Sequence, residues 1–403
     1  MSSPQNDLNM IAQFLLSILS DAFHAMRLTI PHYVRAHAIT VAILCGLGPQ
    51  TVQAAGPDEV HRQMDHIETA GGDSGFGFSN GSVIVAPVPF SNPTIGSGLA
   101  LGAGYLFKID PGSKTSVIGL GAMRSDNGSQ AAGLMTNLAF DNNRWLLNLF
   151  AGKADVRYDL YTSLGPIPIH QDGQLARFNL AYGVTEDLSF GGVIRYLNTS
   201  IAVDGTSFPS LPPQYSPDLN LEIITAGFSA DWDRRDNSDY PTDGSRLTAE
   251  ATRSFFVDTG RASYDKANIK YDTYRPLAAD STLAFRGVFC AATDETPFFD
   301  QCSIGATDNM RGFNSTQFLD LRSTSFQAEY RRRFGPRWGA VAFGGIGWTG
   351  AKLSEFGDGG SHSAIGLGAR YRVSKKFPID FSVDISHSNL GDDQIYIYVG
   401  QRF

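Results

Sequence analysis

From residue 80 to the end of the chain, apolar and polar residues alternate within short segments that are separated by turn residues. A period of two places successive side chains on opposite faces of a β-strand. Between residues 281 and 290, Leu283, Phe285 and Phe289 share one face, while Thr282 and Arg286 share the other. Segments of this pattern, rich in aromatic and β-branched residues, are typical of strands that cross a membrane in a barrel.

Sixteen such strands can be delimited, and bacterial barrels require an even number. They are predicted at 80–87, 98–109, 115–124, 130–140, 144–156, 175–184, 187–203, 221–234, 245–257, 262–275, 281–291, 325–334, 338–348, 363–373, 377–386 and 394–403. In the last of these, Ile395, Ile397, Val399 and Phe403 are expected on one face, with Gln401 breaking the run.

The connections between the strands are sorted by length. Every second one is short, at 110–114, 141–143, 185–186, 276–280, 335–337 and 374–376, with 235–244 as the exception. The other set contains the long connections 159–174, 204–220, 292–324 and 349–362. Short periplasmic turns and long outer loops are how outer-membrane barrels are built. The sequence therefore predicts a sixteen-stranded antiparallel transmembrane β-barrel over residues 80–403, with 292–324 as its sixth extracellular loop.

Composition agrees with a barrel and excludes two other classes. The 43 glycines and 11% aromatic residues fit many short strands joined by tight turns. A mean hydropathy of -0.13, without any later stretch near about 18 consecutive apolar residues, excludes a helical membrane bundle. A net charge of -8 argues against a nucleic-acid partner and leaves outer-membrane lipids as the expected surroundings.

The first 54 residues have the pattern of a signal peptide. Arg27 and Arg35 precede an apolar stretch from 38 to 47, and small residues ending at Ala54 form a cleavage pattern. Met26 makes a better start for such a signal, so residues 1–25 are interpreted as an over-extended start; an amphipathic helix at 10–23 is the alternative. Residues 55–79 are then a short periplasmic tail, which places the N-terminus of a bacterial outer-membrane protein in the periplasm.

Two cysteines, Cys290 and Cys302, follow the predicted signal peptide. An even cysteine count in an exported chain indicates one disulfide, which would brace the base of the long 292–324 connection. Two free thiols are the alternative.

Three motifs, taken in order, carry a family resemblance, and a looser fourth at 87–104 is similar to the opening strands of the family's compact members. The turn 235–244 and the strand before it contain Asp233, Arg234, Asp236 and Asn237, followed by Pro241 and Gly244. The 292–324 connection carries Met310, Arg311, Gly312 and Phe313, and the chain ends on an amphipathic strand with Tyr398 and Phe403, similar to the recognition signal of outer-membrane proteins. Together they resemble the bacterial surface antigen family of outer-membrane barrels, the assembly and translocation superfamily of BamA and TamA.

The resemblance implies that the sixth loop folds into the lumen and that Arg311 pairs with an acid on the inner wall. The family's Phe-x-Asp-x-Gly pattern stands here as Phe343-Gly344-Gly345-Ile346-Gly347, so Gly345 occupies the usual acidic position. Because a buried guanidinium cannot escape by losing its proton, another acid is expected. The candidates are Asp384, favoured by its match to the family's Val-Asp, then Glu329 and Asp380; pairing with the loop carboxylates Asp308 or Asp320 alone is the alternative.

The function implied by the resemblance is insertion or translocation of proteins, or more widely lipids, at the outer membrane. Members usually carry POTRA modules before the barrel, and residues 55–79 are too short for one, so a compact member with a separate periplasmic partner is expected. A structural or pore-forming barrel without machine activity is the alternative. A lipid hydrolase using Asp384, His387 and Ser388 is disfavoured because strand neighbours alternate faces. No metal cluster or phosphate loop is apparent, so neither a cofactor nor catalysis is expected; the client proteins are not specified.

Overall fold

The computed structural model describes residues 81–163, 165–205, 211–257, 260–305, 309–372 and 380–403. The predicted signal peptide and tail, and the predicted turn 374–376, lie outside these ranges. Among the described residues, no helix is both long and apolar enough to span a membrane.

Sixteen antiparallel strands form a closed barrel in which each strand pairs with its neighbours in the chain and β1 meets β16. They are β1 (Ser82–Asn92), β2 (Gly96–Phe107), β3 (Ser116–Ser125), β4 (Gln130–Phe140), β5 (Trp145–Thr162), β6 (Gly165–Gly183), β7 (Leu188–Val203), β8 (Asn220–Asp233), β9 (Gly244–Phe256), β10 (Tyr264–Ala278), β11 (Ser281–Ala292), β12 (Arg322–Phe334), β13 (Trp338–Gly350), β14 (His362–Arg372), β15 (Asp380–Ser388) and β16 (Asp393–Val399). The predicted fold class and strand number are confirmed.

The alternation read from the sequence separates the two faces of the wall. On β3, Ile118 and Leu120 are exposed on the outside, whereas Val117 and Met123 are buried inside. Outward Ile365 and Leu367 on β14 continue this apolar surface. Trp338 packs edge-on against Tyr371, and such amphipathic rings prefer the membrane interface.

The two ends of the barrel differ as predicted. We call the end with the short connections the turn end and the opposite end the loop end. At the turn end, Asp141, Asn142 and Asn143 all have positive φ, a conformation that Asn and Asp tolerate better than most residues. At the loop end, the predicted loop 159–174 is wrong: β5 and β6 extend into a hairpin that pairs as far as Thr162 with Gly165. There, Tyr158 pairs with Ile169 and Leu160 pairs with Ile167, and these pairs continue the ladder.

The seam between β1 and β16 is the weakest junction in the wall. Its register consists of one residue pair, Ser91 with Ile397, whereas β1 pairs with β2 from Ser82 to Asn92. Because each backbone pair removes an exposed donor and acceptor, this seam contributes little to closure of the sheet.

The last strand ends earlier than predicted. β16 stops at Val399, and Gly400 takes a φ of 90°, which turns the chain inward. Phe403 therefore does not share the outer face of Ile395 and Val399; it is 5% exposed and lies in the lumen. The prediction of one continuous amphipathic strand to residue 403 is wrong at this point.

The segment between β11 and β12, residues 293–321, is the sixth connection at the loop end, and it fills the lumen. We call it loop six. A two-residue ladder pairs Cys302–Ser303 with Leu319–Asp320 and makes the loop a hairpin. Short 3-10 turns lie at Pro213–Asp218, Phe298–Asp300 and Leu353–Glu355, the second of them within loop six.

Candidate functional site: the lumen arginine and its wall

Loop six is fixed to the barrel at two levels above its tip. A disulfide joins Cys290 at the end of β11 to Cys302, with Cα atoms 5.6 Å apart. Asp300 Oδ2 also accepts hydrogen bonds from Arg195 on β7 and the hydroxyl of Tyr264 on β10, both at 2.6 Å. Lys266 Nζ lies 2.9 Å from Asp300 Oδ1. Asp300 thus ties loop six to β7 and β10, whereas the tip contacts β12 and β15.

Arg311 lies at the tip of loop six, and its side chain is 1% exposed. Its Nε donates to Gln327 Oε1 at 2.8 Å, its Nη2 to Glu329 Oε2 at 2.6 Å and its Nη1 to Asp384 Oδ2 at 2.6 Å. Two of the three predicted acids are thus in contact with Arg311, and they come from different strands, β12 and β15. Charge-assisted bonds of this length are the strong class of protein hydrogen bonds.

The third candidate, Asp380, does not contact Arg311. It lies at the start of β15 at the turn end and accepts from Arg333, from Arg372 and from Gln401 Nε2. Four residues of strand, about 13 Å, separate it from Asp384, so the prediction for Asp380 is wrong. Of the alternative loop partners, Asp320 bonds the backbone N–H of Leu321, and Asp308 lies outside the described residues.

The glycine at the usual acidic position has a steric role here. A Cβ on Gly345 would lie 2.8 Å from Met310 Sδ, so β13 makes room for the loop side chain beside Arg311. Met310 packs in a buried cluster with Ile304, Phe313 and Ala364. An apolar contact thus replaces a carboxylate on β13, and β12 and β15 supply the negative charge instead.

The two carboxylates that hold Arg311 are themselves shared with wall arginines. Glu329 Oε1 accepts from Arg331 Nε at 2.7 Å, and Asp384 Oδ1 accepts from Arg370 Nη1. The hydroxyl of Tyr398 donates to Asp384 Oδ2 at 2.7 Å. The guanidinium of Arg311 also lies 3.5 Å from the ring centroid of Phe343, a favourable cation–π contact. Burial of these charges is therefore compensated on every side.

The loop tip also contacts β16 and the connection that follows β1, on either side of the weak seam. The Tyr396 hydroxyl on β16 accepts from the backbone N–H of Gly312 at 2.7 Å. On the other side, Asn314 Nδ2 donates to the Pro93 carbonyl, and Ser315 N donates to Thr94 Oγ1, both at 3.1 Å, in the connection between β1 and β2. Gly312 has a φ of 115°, and a Cβ there would collide with Ala364. Only glycine fits this position of the tip.

The predicted turn motif organises the long connection between β8 and β9. Arg235 forms a bidentate pair with Asp233 at 2.8 and 2.7 Å. Asp236 accepts from the backbone of Thr242 and Asp243, and Asn237 accepts from that of Asp239 and Tyr240. Gly244 has positive φ, and a Cβ there would meet the Arg234 carbonyl. Arg234 itself is exposed at the rim, 3.8 Å from Asp187. The motif thus builds a rigid turn, and its Pro241 carbonyl accepts from Arg331 Nη1 at 3.3 Å inside the lumen.

The residues of the hydrolase alternative do not come together. Asp384 and Ser388 face the lumen on β15, while His387 is exposed on the outer face with its Nδ1 2.8 Å from Asp393.

Sequence reasoning missed Gln327, Arg370 and Tyr396 as parts of the site. The period-two alternation that places Glu329 on the inner face also places Gln327 and Arg331 there, so that signal was present in the sequence.

Comparisons with known proteins agree with the barrel fold. The model of the Omp85 superfamily domain matches residues 142–403. A crystal structure of BamA from Haemophilus ducreyi lacking POTRA domains 1–3 is similar, with a TM-score of 0.53 at 14% identity, over 79% of this chain and 70% of that chain. CdiB from Escherichia coli (TM-score 0.53, 12% identity) is similar over 80% of this chain and 67% of its own. CdiB from Acinetobacter baumannii, with a TM-score of 0.52 at 13% identity, is similar over 78% of this chain. The match covers 59% of the length of that protein. No curated protein matches by sequence.

Proposed function

The chain belongs to the Omp85 superfamily, and from that premise we propose that this outer-membrane barrel inserts or translocates polypeptides at the outer membrane. Its turn end faces the periplasm in this proposal, and its client is an unfolded or partly folded outer-membrane or surface protein. The proposal assigns the barrel no catalytic step.

The observation that carries the proposal is the position of loop six. Arg311 ties the loop tip to β12 and β15, while Gly312 and Asn314 bond to the two sides of the seam. One residue pair closes the seam itself. A wall junction that is weak on its own, but bridged by a docked loop, is a two-state element of the kind that a membrane insertion machine needs.

The alternative of a static pore receives less support. Loop six occupies the lumen from one end, and the β8–β9 turn reaches Arg331 from the other. A barrel built for steady diffusion has no need of two elements that enter its interior from opposite ends, since a sixteen-stranded barrel is wide enough for an aqueous channel.

The test is deletion of the gene followed by quantitative comparison of the outer-membrane and surface proteomes. Complementation with the wild type, with Arg311→Ala and with the rim control Arg332→Ala separates a docked-loop function from loss of the protein. We expect a defined set of outer-membrane proteins to be depleted on deletion, restored by wild type and Arg332→Ala, and only partly restored by Arg311→Ala. An unchanged proteome on deletion, together with steady conductance of the purified barrel in planar bilayers, would favour the pore.

A further inference from the structure

Towards the turn end of the lumen, one connected set of buried ion pairs contains more arginines than carboxylates. We propose that Arg331, Arg333 and Arg372 form a binding site for a phosphate group, which the ring of Tyr240 covers in this structure. The site adjoins the Arg311 contacts, because Arg331 shares Glu329 with Arg311, but the proposal does not depend on the proposed translocation activity.

The charge count comes from one connected set of ion pairs among the residues that the structure describes. Glu329, Asp380 and Asp384 are its three carboxylates, and between them they contact five arginines: Arg311, Arg331, Arg333, Arg370 and Arg372. Five positive and three negative charges leave a surplus of two positive charges within this set. Buried charges are normally paired, because their desolvation is otherwise costly.

The surplus is located at the turn end. Arg311 bonds Glu329 and Asp384 with two nitrogens and Gln327 with the third. Arg370 bonds Asp384 with Nη1 and Gln401 with Nε. Nearer the turn end, Arg331 Nη2 and both Nε and Nη1 of Arg333 are buried and have no hydrogen-bond partner among the described residues. The side chain of Arg331 is 1% exposed and that of Arg333 13%. The Tyr274 hydroxyl, buried and equally unpartnered within the described chain, lies on a ring 5.5 Å from the Arg331 guanidinium.

Tyr240 is the element that covers these donors. Its ring centroid lies 4.2 Å from the guanidinium carbon of Arg333, 5.2 Å from that of Arg372 and 5.7 Å from that of Arg331. The electron-rich face of a tyrosine offsets part of the uncompensated positive charge, but it accepts no strong hydrogen bond from the three unpartnered guanidinium nitrogens. The motif residues Asp236 and Asn237 hold the turn so that Tyr240 is presented to the lumen.

A phosphate group matches this site in charge and in bonding capacity. As inorganic phosphate or a monoester, it carries about -1.5 to -2 charges at neutral pH and three strongly accepting oxygens. The surplus of positive charge in the set and the three unpartnered guanidinium nitrogens match those properties, and guanidinium is the side-chain group best suited to phosphate. The group can belong to free phosphate or to a lipid phosphate monoester such as phosphatidic acid, and the experiment distinguishes the two sources.

The experiment uses the purified, folded barrel in a phosphate-free maltoside detergent. Its melting temperature is followed while inorganic phosphate is added, against sodium chloride at equal ionic strength, because a ligand that binds only the folded state raises the melting temperature. We expect a saturable, phosphate-specific rise that is absent in Arg333→Gln and reached at lower phosphate concentration in Tyr240→Ala, where the covering ring is gone. Arg177→Gln is the matched control, since Arg177 has a carboxylate of its own in Glu250 and should leave the response unchanged.

A second measurement tests whether the phosphate comes from a lipid, and a second variant is used if Arg333→Gln does not fold. If the wild type does not respond to inorganic phosphate but retains phosphatidic acid in native mass spectrometry, and Tyr240→Ala retains more while Arg372→Gln retains less, the ligand is a lipid phosphate monoester. Arg372→Gln also replaces Arg333→Gln in the melting experiment if the latter does not fold. The proposal is overturned if neither probe binds, or if binding persists unchanged in the Arg333 and Arg372 variants.

Discussion

Replacement of Arg311 by alanine tests the docking of loop six. The substitution removes a side chain that is 1% exposed and donates to Gln327, Glu329 and Asp384. It leaves the strands and their pairing untouched, since Arg311 lies between β11 and β12. We therefore expect the barrel to assemble, with loop six held less firmly in the lumen.

The size of the effect follows from what is left behind. Removing one partner of a buried ion pair costs about 3–5 kcal/mol, because the remaining charge loses its compensation. Here Glu329 keeps Arg331, and Asp384 keeps Arg370 and Tyr398, so the lower figure applies. A loss of about 3 kcal/mol raises the population of the undocked loop by roughly a hundredfold, at about 1.4 kcal/mol for each factor of ten.

Limited proteolysis measures that population, because cleavage of a transiently open segment follows the opening equilibrium when reclosing is fast. Proteinase K is suitable, since its cleavage does not depend on the arginine that is removed. We expect cleavage between residues 293 and 321 to be about a hundredfold faster in Arg311→Ala, on the same opening equilibrium. Arg332→Ala is the matched control: this arginine is 52% exposed and 3.5 Å from Asp280, and surface pairs contribute about 0–1 kcal/mol.

Equal protection of loop six in wild type and Arg311→Ala would refute the reasoning. It would mean that the disulfide and the Asp300 contacts alone hold the loop, and that the buried ion pairs contribute no net docking energy. Fast cleavage in Arg332→Ala as well would point instead to a general loosening of the barrel.

Three further outcomes are expected. Gly312→Ala should undock the tip because its Cβ collides with that of Ala364; adding Ala364→Gly should restore part of the protection, and failure of that rescue in the same proteolysis assay would leave only the strain of the positive φ. Reduction of the Cys290–Cys302 disulfide should lower the stability of loop six by up to about 3 kcal/mol, the value for closing a loop of similar length. The loss should be seen as faster cleavage near residues 293–301. Unchanged cleavage would contradict a stabilising role of the disulfide. For Asp300, burial would raise the pKa of the carboxyl, but Arg195, Lys266 and the Tyr264 hydrogen bond outweigh burial and hold it below its ordinary value. Its contribution is therefore complete above the unfolded pKa of about 4 and is lost as the pH falls below it; Asp300→Asn should flatten the dependence of loop protection on pH in that range, and an identical acid profile in the variant would contradict the assignment.

The barrel was predictable from the sequence because each strand carries its own period-two pattern. Phe285 and Arg286 need no knowledge of distant residues to be placed on opposite faces, and the sorting of connections by length then orients the wall. The β5–β6 hairpin was missed although Val156, Tyr158 and Leu160 are buried in alternation along β5. The polar residues Gln171 and Asp172 look like a loop, yet they pair with Val156 and Asp155.

The site was predictable in part. Asp384 and Glu329 could be proposed from the inner-face alternation and the resemblance, but the choice among acids depends on depth along the lumen, which a single sequence does not give. Asp380 shares the face of Asp384 and differs only in depth. The inward turn at Gly400 could not be read either, since a glycine before Gln401 fits a strand as well as a left-handed turn. Tyr240 was missed because its partners Arg331 and Arg333 are about 90 residues away in the chain.

The central claim is that loop six lies in the lumen and bridges the seam, and a cysteine pair tests it most directly. Ser315 Oγ lies 3.0 Å from Thr94 Oγ1, so cysteines at these two positions are within reach of each other. We expect Thr94→Cys with Ser315→Cys to form a disulfide in nearly all of the folded barrel in intact cells. Ser315→Cys paired with a cysteine at exposed Ser238, in the turn at the other end, should form none. A Thr94–Ser315 pair that stays reduced under oxidising conditions would contradict the account.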